Sequence, residues 1–190
     1  MKTFIELGAC DFENLTPLLA SNWRGFFIEP IPVYMMSLKE SVAREGLSAN
    51  AIFEESAITN YNGSIAMVYA THPTEEWQRG ISHVNTDGKP VRNYTSNLIY
   101  RNNFQNEVIN VNALTLNSFL KKHDIQQIDL LKIDVEGHEL MILESYDWCI
   151  KPKLLKIEHK FVDYNRLVNL LYKNGYFVWS EQDDVYALLK

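Results

Sequence analysis

Residues Ile128–Ser145 read IDLLKIDVEGHELMILES, and this stretch decides the fold. Ile128, Leu130, Leu131, Ile133 and Val135 form a nearly unbroken apolar run of strand formers, the pattern of a parallel strand covered on both faces. Lys132 is the exception. Asp134 and Glu136 fall where such a strand runs out, and Gly137 permits a sharp turn into Leu140, Met141 and Leu143 at helical spacing. Open α/β sheets bind ligands outside the carboxyl ends of their strands. A single acidic residue there reads as strand-end solvation, or as negative charge at a helix N-terminus. Two carboxylates at i and i+2 point to a site, because charge in so crowded a position is costly without a partner.

The same texture repeats outward along the chain. Residues 3–7, 25–28, 51–54 and 154–157 read as strands, and the stretches to about Asn22, 33–45, 115–123 and 163–174 as helices. Asp163 is placed to cap the last helix and Gly175 to stop it. Strands alternating with helices predict a mostly parallel sheet with helices on both faces. Residues 64–69 read as a further strand beyond the Asn-Gly turn at Asn62 and Gly63. Residues 176–180 and 185–189 flank EQDD as a closing antiparallel hairpin. From about 71 to 106 the apolar periodicity disappears. Such a length predicts a functional excursion over the strand ends, anchored by Trp77, Ile81, Tyr94, Leu98, Ile99, Tyr100 and Phe104. No linker divides the chain, so residues 1–190 are expected to form one domain.

Composition narrows the function. With 46% hydrophobic residues the chain holds enough apolar material for a core, and a net charge of -6 argues against a nucleic-acid surface. A small-molecule ligand fits better. No run approaches membrane-spanning length, and the amino terminus lacks a long apolar leader, so a cytoplasmic protein with no membrane partner is expected. Cys10 and Cys149 lie far apart without metal-ligand spacing and read as free thiols.

ELGACDF, Glu6 to Phe12, follows the first strand, where Gly8 lets ligand atoms approach the backbone. It is not a dinucleotide fingerprint, since GxGxxG is absent. Glu29 ends the second strand about twenty residues on, where an acidic side chain accepts hydrogen bonds from both hydroxyls of a ribose. Gly8 with Glu29 points to an adenosine ligand. His138 and His159 follow the ends of neighbouring strands, and either has the pKa range to take a hydroxyl proton or to hydrogen-bond a helix end. His159 is the preferred base of the two. Asp134, Glu136, Glu158 and His159 also make a donor set for a hard metal, although none is assigned.

These features together resemble the FkbM family of S-adenosylmethionine-dependent methyltransferases, along nearly the whole chain. LLKIDVEGHELMIL, Leu130 to Leu143, is similar to the family's hallmark, and IEHK, Ile157 to Lys160, to the end of its following strand. FIEPIP (27–32) resembles the ribose-binding turn, ESAITNYNG (55–63) the segment after the third strand, and LTLNSFL (114–120) the helix before the hallmark strand. The pattern is departed from at Glu6, where relatives carry Asp, at Phe12, where they carry a second glycine, and at GISHV (80–84), where they carry consecutive serines.

The resemblance implies a class I methyltransferase, Rossmann-like: a mostly parallel seven-stranded sheet, helices on both faces and a C-terminal antiparallel hairpin. It implies S-adenosyl-L-methionine as cofactor and O-methylation of a hydroxyl on a sugar or small metabolite. Cofactor-binding residues would be Glu6, Gly8 and Ala9 at the methionine end, Glu29 at the ribose, and Ser56 and Ala57 at the adenine. Asp134 and Glu136 would orient sulfonium and acceptor, with His159 or Glu158 as base. The alternatives are a non-catalytic S-adenosylmethionine-binding protein of the same fold and a metal-dependent hydrolase.

Overall fold

In the computed structural model, residues 1–12, 14–75, 77–85 and 105–190 are described. The hallmark strand β8 (Leu130–Ile133) lies at the middle of a seven-stranded sheet, beside β1 (Thr3–Leu7). Beyond β1 come β2 (Arg24–Ile28) and β3 (Ala51–Glu54); beyond β8 come β9 (Leu154–Glu158), β11 (Asp184–Leu189) and β10 (Tyr176–Glu181). All neighbours pair in parallel except β11, which runs antiparallel to both β9 and β10. The predicted sheet and its closing hairpin are therefore both present. Because the chain leaves β1 toward β2 on one side and returns at β8 on the other, a topological switch point falls between β1 and β8.

Helices cover both faces. On one side α1 (Thr16–Ala20) and α2 (Pro32–Arg44) bury Leu19, Leu38 and Val42 with Phe4 and Phe27. On the other, α4 (Leu116–Lys122), α5 (Glu139–Ser145) and α6 (Tyr164–Lys173) bury Leu116, Phe119, Ile142, Leu143, Leu167 and Leu171 against Ile5, Leu131, Ile133 and Ile157. Full burial of each such side chain contributes about 1.5–3 kcal/mol, so this two-faced core fixes the register. Asp163 caps α6 as expected, its carboxylate accepting from the Arg166 N–H, and Gly175 stands past its end at φ +94°.

One reading needs correction, and two gain detail. The helix expected directly after ELGACDF begins only at Thr16, and residues 8–12, 14 and 15 lie in neither helix nor strand. The strand expected at 64–69 is β5 (Gly63–Ala70), but it belongs to a second, four-stranded sheet with β4 (Ala57–Thr59), β6 (His83–Val84) and β7 (Asn106–Thr115), in the order β4-β7-β5-β6. The excursion is also less irregular than expected, since a short helix α3 (Trp77–Gly80) and strand β6 lie within it. Tyr94, Leu98, Ile99, Tyr100 and Phe104, read as its anchors, lie outside the described residues. No helix among the described residues is long and apolar enough to cross a membrane.

Candidate active site

A cavity of about 390 Å³ opens at the carboxyl ends of β1, β2, β8 and β9, roofed by β5, α3 and β6 of the second sheet. Its position is the switch point itself. Gly8, at φ +77°, is required there: a Cβ would stand 1.8 Å from the Asp134 carbonyl oxygen, so only glycine lets the ends of β1 and β8 close together. The Asp134 N–H donates to the Leu7 carbonyl at 3.1 Å across the same junction.

Glu29 is 4% exposed and lines one side. Its Oε2 accepts from the Cys10 N–H at 3.0 Å and its Oε1 from the Ile31 N–H at 2.8 Å. Burial pushes its pKa up to about 7 against those two hydrogen bonds. Each carboxylate oxygen has capacity for a second donor, which is what a pair of ribose hydroxyls would use. Ser56 and Ala57 line the adjoining wall; the Ser56 hydroxyl donates to Glu54 and accepts from Asn112. Ala9 is buried, with its N–H on the Ile28 carbonyl, and does not line the cavity.

Glu6 is fully buried behind the wall. Its Oε1 accepts from Lys132 Nζ at 2.9 Å and its Oε2 from the Leu15 N–H at 2.8 Å, tying the irregular loop to β1. Lys132 also lies 3.8 Å from Asp134. Burial alone would lower the Lys132 pKa, but the charges of Glu6 and Asp134 overcome this and hold it above the ordinary value. The lone cation of the hallmark strand thus pairs with the lone anion of β1 at the facing position. Two charged residues in otherwise apolar central strands were the available signal for this pair, because buried charges need partners.

Asp134, Glu136 and Glu158 come together on the opposite wall, one carboxylate oxygen of each within 4.8 Å of the others. Glu136 holds φ +56° and Gly137 +100°, the sharp turn foreseen after the strand. Glu136 Oε2 and Glu158 Oε2 are buried without a hydrogen-bond partner among the described residues. Burial first, then the neighbouring carboxylates, raise Glu136 to about 9 and Glu158 to about 8. His138 lines this wall and its Nε2 lies 2.8 Å from Thr59 Oγ1. His159 does not line the cavity; its ring packs edge-on against Tyr164 at 5.1 Å.

The roof supplies Trp77 of α3, foreseen as an anchor of the excursion, and two residues that sequence reasoning missed, Arg79 of α3 and Met67 of β5. Arg79 pairs with Asp11 at 2.7 Å and lies over the Phe12 ring at 5.4 Å. Phe12 lines the cavity and meets Gly80, where a Cβ would stand 3.0 Å from the ring, so the ring at 12 and the glycine at 80 fit each other. Ser82 also lines the cavity, whereas His83 is buried with Nδ1 on the Ile81 carbonyl.

The model of the methyltransferase FkbM domain matches residues 6–178. The chain belongs to the FkbM methyltransferase family. No curated protein matches it by sequence. A solved FkbM methyltransferase from Methylobacillus flagellatus KT is similar in structure at 14% identity and TM-score 0.59, covering 98% of this chain and 43% of that one. A precorrin-6y C5,15-methyltransferase from Geobacter metallireducens GS-15 aligns at 13% identity and TM-score 0.53, over 100% of this chain and 80% of that one. The Methanococcus jannaschii fibrillarin pre-rRNA processing protein aligns at 13% and 0.50, over 99% and 66%. These likenesses establish the class I methyltransferase fold, and the chain spans less than half the length of the Methylobacillus FkbM protein. The cofactor of this family and fold is S-adenosylmethionine. The FkbM chain described here fits it: Glu29 is a buried carboxylate with acceptor capacity, and unpartnered buried oxygens face the same cavity.

Proposed function

We propose that residues 1–190 act as one domain that moves the methyl group of S-adenosylmethionine to a hydroxyl on a saccharide or other small acceptor. The observation that carries this reading is the division of the cavity. Glu29, Ser56, Ala57 and Gly8 occupy one side and Asp134, Glu136 and Glu158 the other, at the ends of adjoining strands. When bound, the cofactor supplies a sulfonium methyl that needs no further activation. The chain's own residues would hold cofactor and acceptor in line and take up the proton that the acceptor hydroxyl loses.

The work left to the protein is alignment, charge complementarity and proton removal. Glu29 would hold the ribose, Ser56 and Ala57 the adenine, and Gly8 the methionine end. Glu6 and Ala9 would act from behind the wall, Glu6 through Lys132. Asp134 and Glu136 would orient sulfonium and acceptor. Glu158 is the better base, because it lines the cavity with an unpartnered oxygen while His159 lies outside the lining. The oxygen acceptor is taken from the family resemblance.

Calorimetry with S-adenosylhomocysteine, followed by methyl transfer from labelled cofactor to a panel of polyols and amines, tests the reading. Binding of the homocysteine product and labelling of a polyol are expected. Absence of binding sinks the methyltransferase assignment of this cavity, and labelling of amines alone sinks the hydroxyl acceptor.

A further inference from the structure

On the α1/α2 side, the apolar layer of the described residues ends halfway across the main sheet. Phe4, Leu19, Phe27, Leu38 and Val42 pack with Leu130 of β8, and no member of that cluster comes from β9, β11 or β10. Register shows what those three strands present instead. Alternation from Leu130 and Lys132 places Leu154, Leu188 and Phe177 in one row across β9, β11 and β10, then Lys156, Tyr186 and Trp179, then Glu158, Asp184 and Glu181. Their neighbours Leu155, Ala187 and Val178 point the other way and are buried. On the outer face Phe177 is 59% exposed, Leu188 48% and Trp179 40%.

A sheet face that carries a phenylalanine, a tryptophan and two leucines is stable when another layer covers it. Trp179 and Tyr186 stack at 5.4 Å, and Phe177 stands 6.0 Å from Trp179, so the rings form one continuous strip. An exposed strip of this kind marks an interaction surface. Charge then selects the partner. Glu181, Asp183 and Asp184 lie at the hairpin end of the face, where Lys156 pairs with Asp184 at 3.0 Å and Lys160 lies 3.8 Å from Asp183. Lys151, Lys153 and Lys190 are exposed at the opposite end, Lys153 paired with Asp129 at 2.7 Å. Lys190 continues β11, its N–H on the Gly175 carbonyl, and by alternation shares the face of Leu188.

We propose that a second copy of the chain docks on this face, sheet against sheet, across a two-fold axis lying along the row of Leu154, Leu188 and Phe177. A two-fold contact needs a surface that is complementary to itself. That axis sets the apolar row against its own copy and brings the acidic hairpin end of each chain over the lysine end of the other. An axis along the strands would set acid against acid instead. Two sheets stacked face to face lie ~10 Å apart, with strand directions within about 30° of each other. Three strands ~4.8 Å apart and about five residues long give a core of roughly 14 by 17 Å, at the small end of specific interfaces, so a dimer of the micromolar class is expected. The inference is independent of the chemistry assigned to the cavity.

The test is sedimentation equilibrium of the chain across the micromolar range, with melting temperatures measured on the same samples. A monomer–dimer equilibrium is expected, weakened at least about tenfold in Phe177→Glu, which places a charge at the centre of the contact. Glu181→Lys and Lys190→Glu should each weaken self-association. An equimolar mixture of those two variants should dimerise again, because each repelling pair in either homodimer becomes an attracting pair in the mixed one. A wild type that stays monomeric throughout overturns the proposal and leaves the face to a different partner. A dimer indifferent to Phe177→Glu places the contact elsewhere and overturns it as well. Failure of the mixture to recover association overturns the two-fold arrangement.

Discussion

Glu29 illustrates how one side chain can fasten the fold and be placed for a ligand at once. Its two oxygens fasten the Cys10 N–H after β1 and the Ile31 N–H before α2, so the carboxylate is already oriented when a ligand arrives. Charge-assisted hydrogen bonds contribute about 1.5–3 kcal/mol each, and two to a ribose would account for much of the cofactor affinity. Glu29→Ala is expected to weaken S-adenosylhomocysteine binding by roughly tenfold or more. It should also lower the melting temperature, because each stranded N–H costs about 1–3 kcal/mol. Unchanged affinity in a folded variant removes Glu29 from the cofactor site. Asp134 poses the complementary case, lining the cavity where the proposed reaction would place the reacting groups. Asp134→Asn keeps shape and removes charge, so turnover should fall at least about tenfold, equivalent to ~1.4 kcal/mol of transition-state stabilisation. Affinity for S-adenosylhomocysteine, which lacks the sulfonium charge, should change much less. If turnover survives and only thermal stability falls, Asp134 is a structural strand-end group.

Elements are held to one another by a second buried carboxylate. Glu54, at the end of β3, accepts from Lys122 Nζ at 2.7 Å, contacts His123 Nε2 at 2.9 Å and accepts from the Ser56 hydroxyl at 2.8 Å, joining β3 to the C-terminus of α4. Burial alone would raise its pKa, but these hydrogen bonds outweigh burial and hold it below the ordinary 4.5. A carboxylate whose folded pKa is depressed stabilises the fold above its unfolded pKa and loses that contribution as pH falls through the folded value. Glu54→Gln should therefore melt a few degrees below wild type at pH 7, with the gap closing on acidification below about 4.5. A gap independent of pH shows that shape, not charge, holds the two elements. Elements of the main sheet were legible because their signals are local: apolar runs, the Asp163 cap, the Gly175 stop. β7 was not read, although Val111 and Ala113 alternate with Asn110 and Asn112, because the alternation is short and its polar face is rich in asparagine. The hallmark motif predicted the acidic wall through the strand-end rule, and family resemblance supplied the cofactor side. Lys132, Arg79 and Trp77 belong to the site through pairings between distant segments, which no local period encodes.

At the scale of the molecule, the cavity exists because two sheets are fastened across it. Tyr34 of α2 donates to the Ala70 carbonyl at 2.7 Å, Asn112 of β7 donates to Ser56 at 2.9 Å, and Arg79 of α3 meets Asp11 at 2.7 Å. Only the last joins the loop after β1, on the cofactor side, directly to the roof. The pair is partly shielded, with side chains 9% exposed at Asp11 and 23% at Arg79, so solvent screens it less than a surface ion pair. If this link holds the roof over the cofactor, Asp11→Ala and Arg79→Ala should each weaken S-adenosylhomocysteine binding several-fold. Arg79→Ala should be the more damaging, because it also removes the cation over the Phe12 ring. The double variant should be little worse than Arg79→Ala alone, since each single change already breaks the same contact. A double-mutant cycle on affinity measures that coupling, and residues in direct contact deviate from additivity by about 0.5–3 kcal/mol. Additive losses would mean that Asp11 and Arg79 act separately, and the roof would then depend on Tyr34 and Asn112, whose hydrogen bonds do not reach the loop after β1.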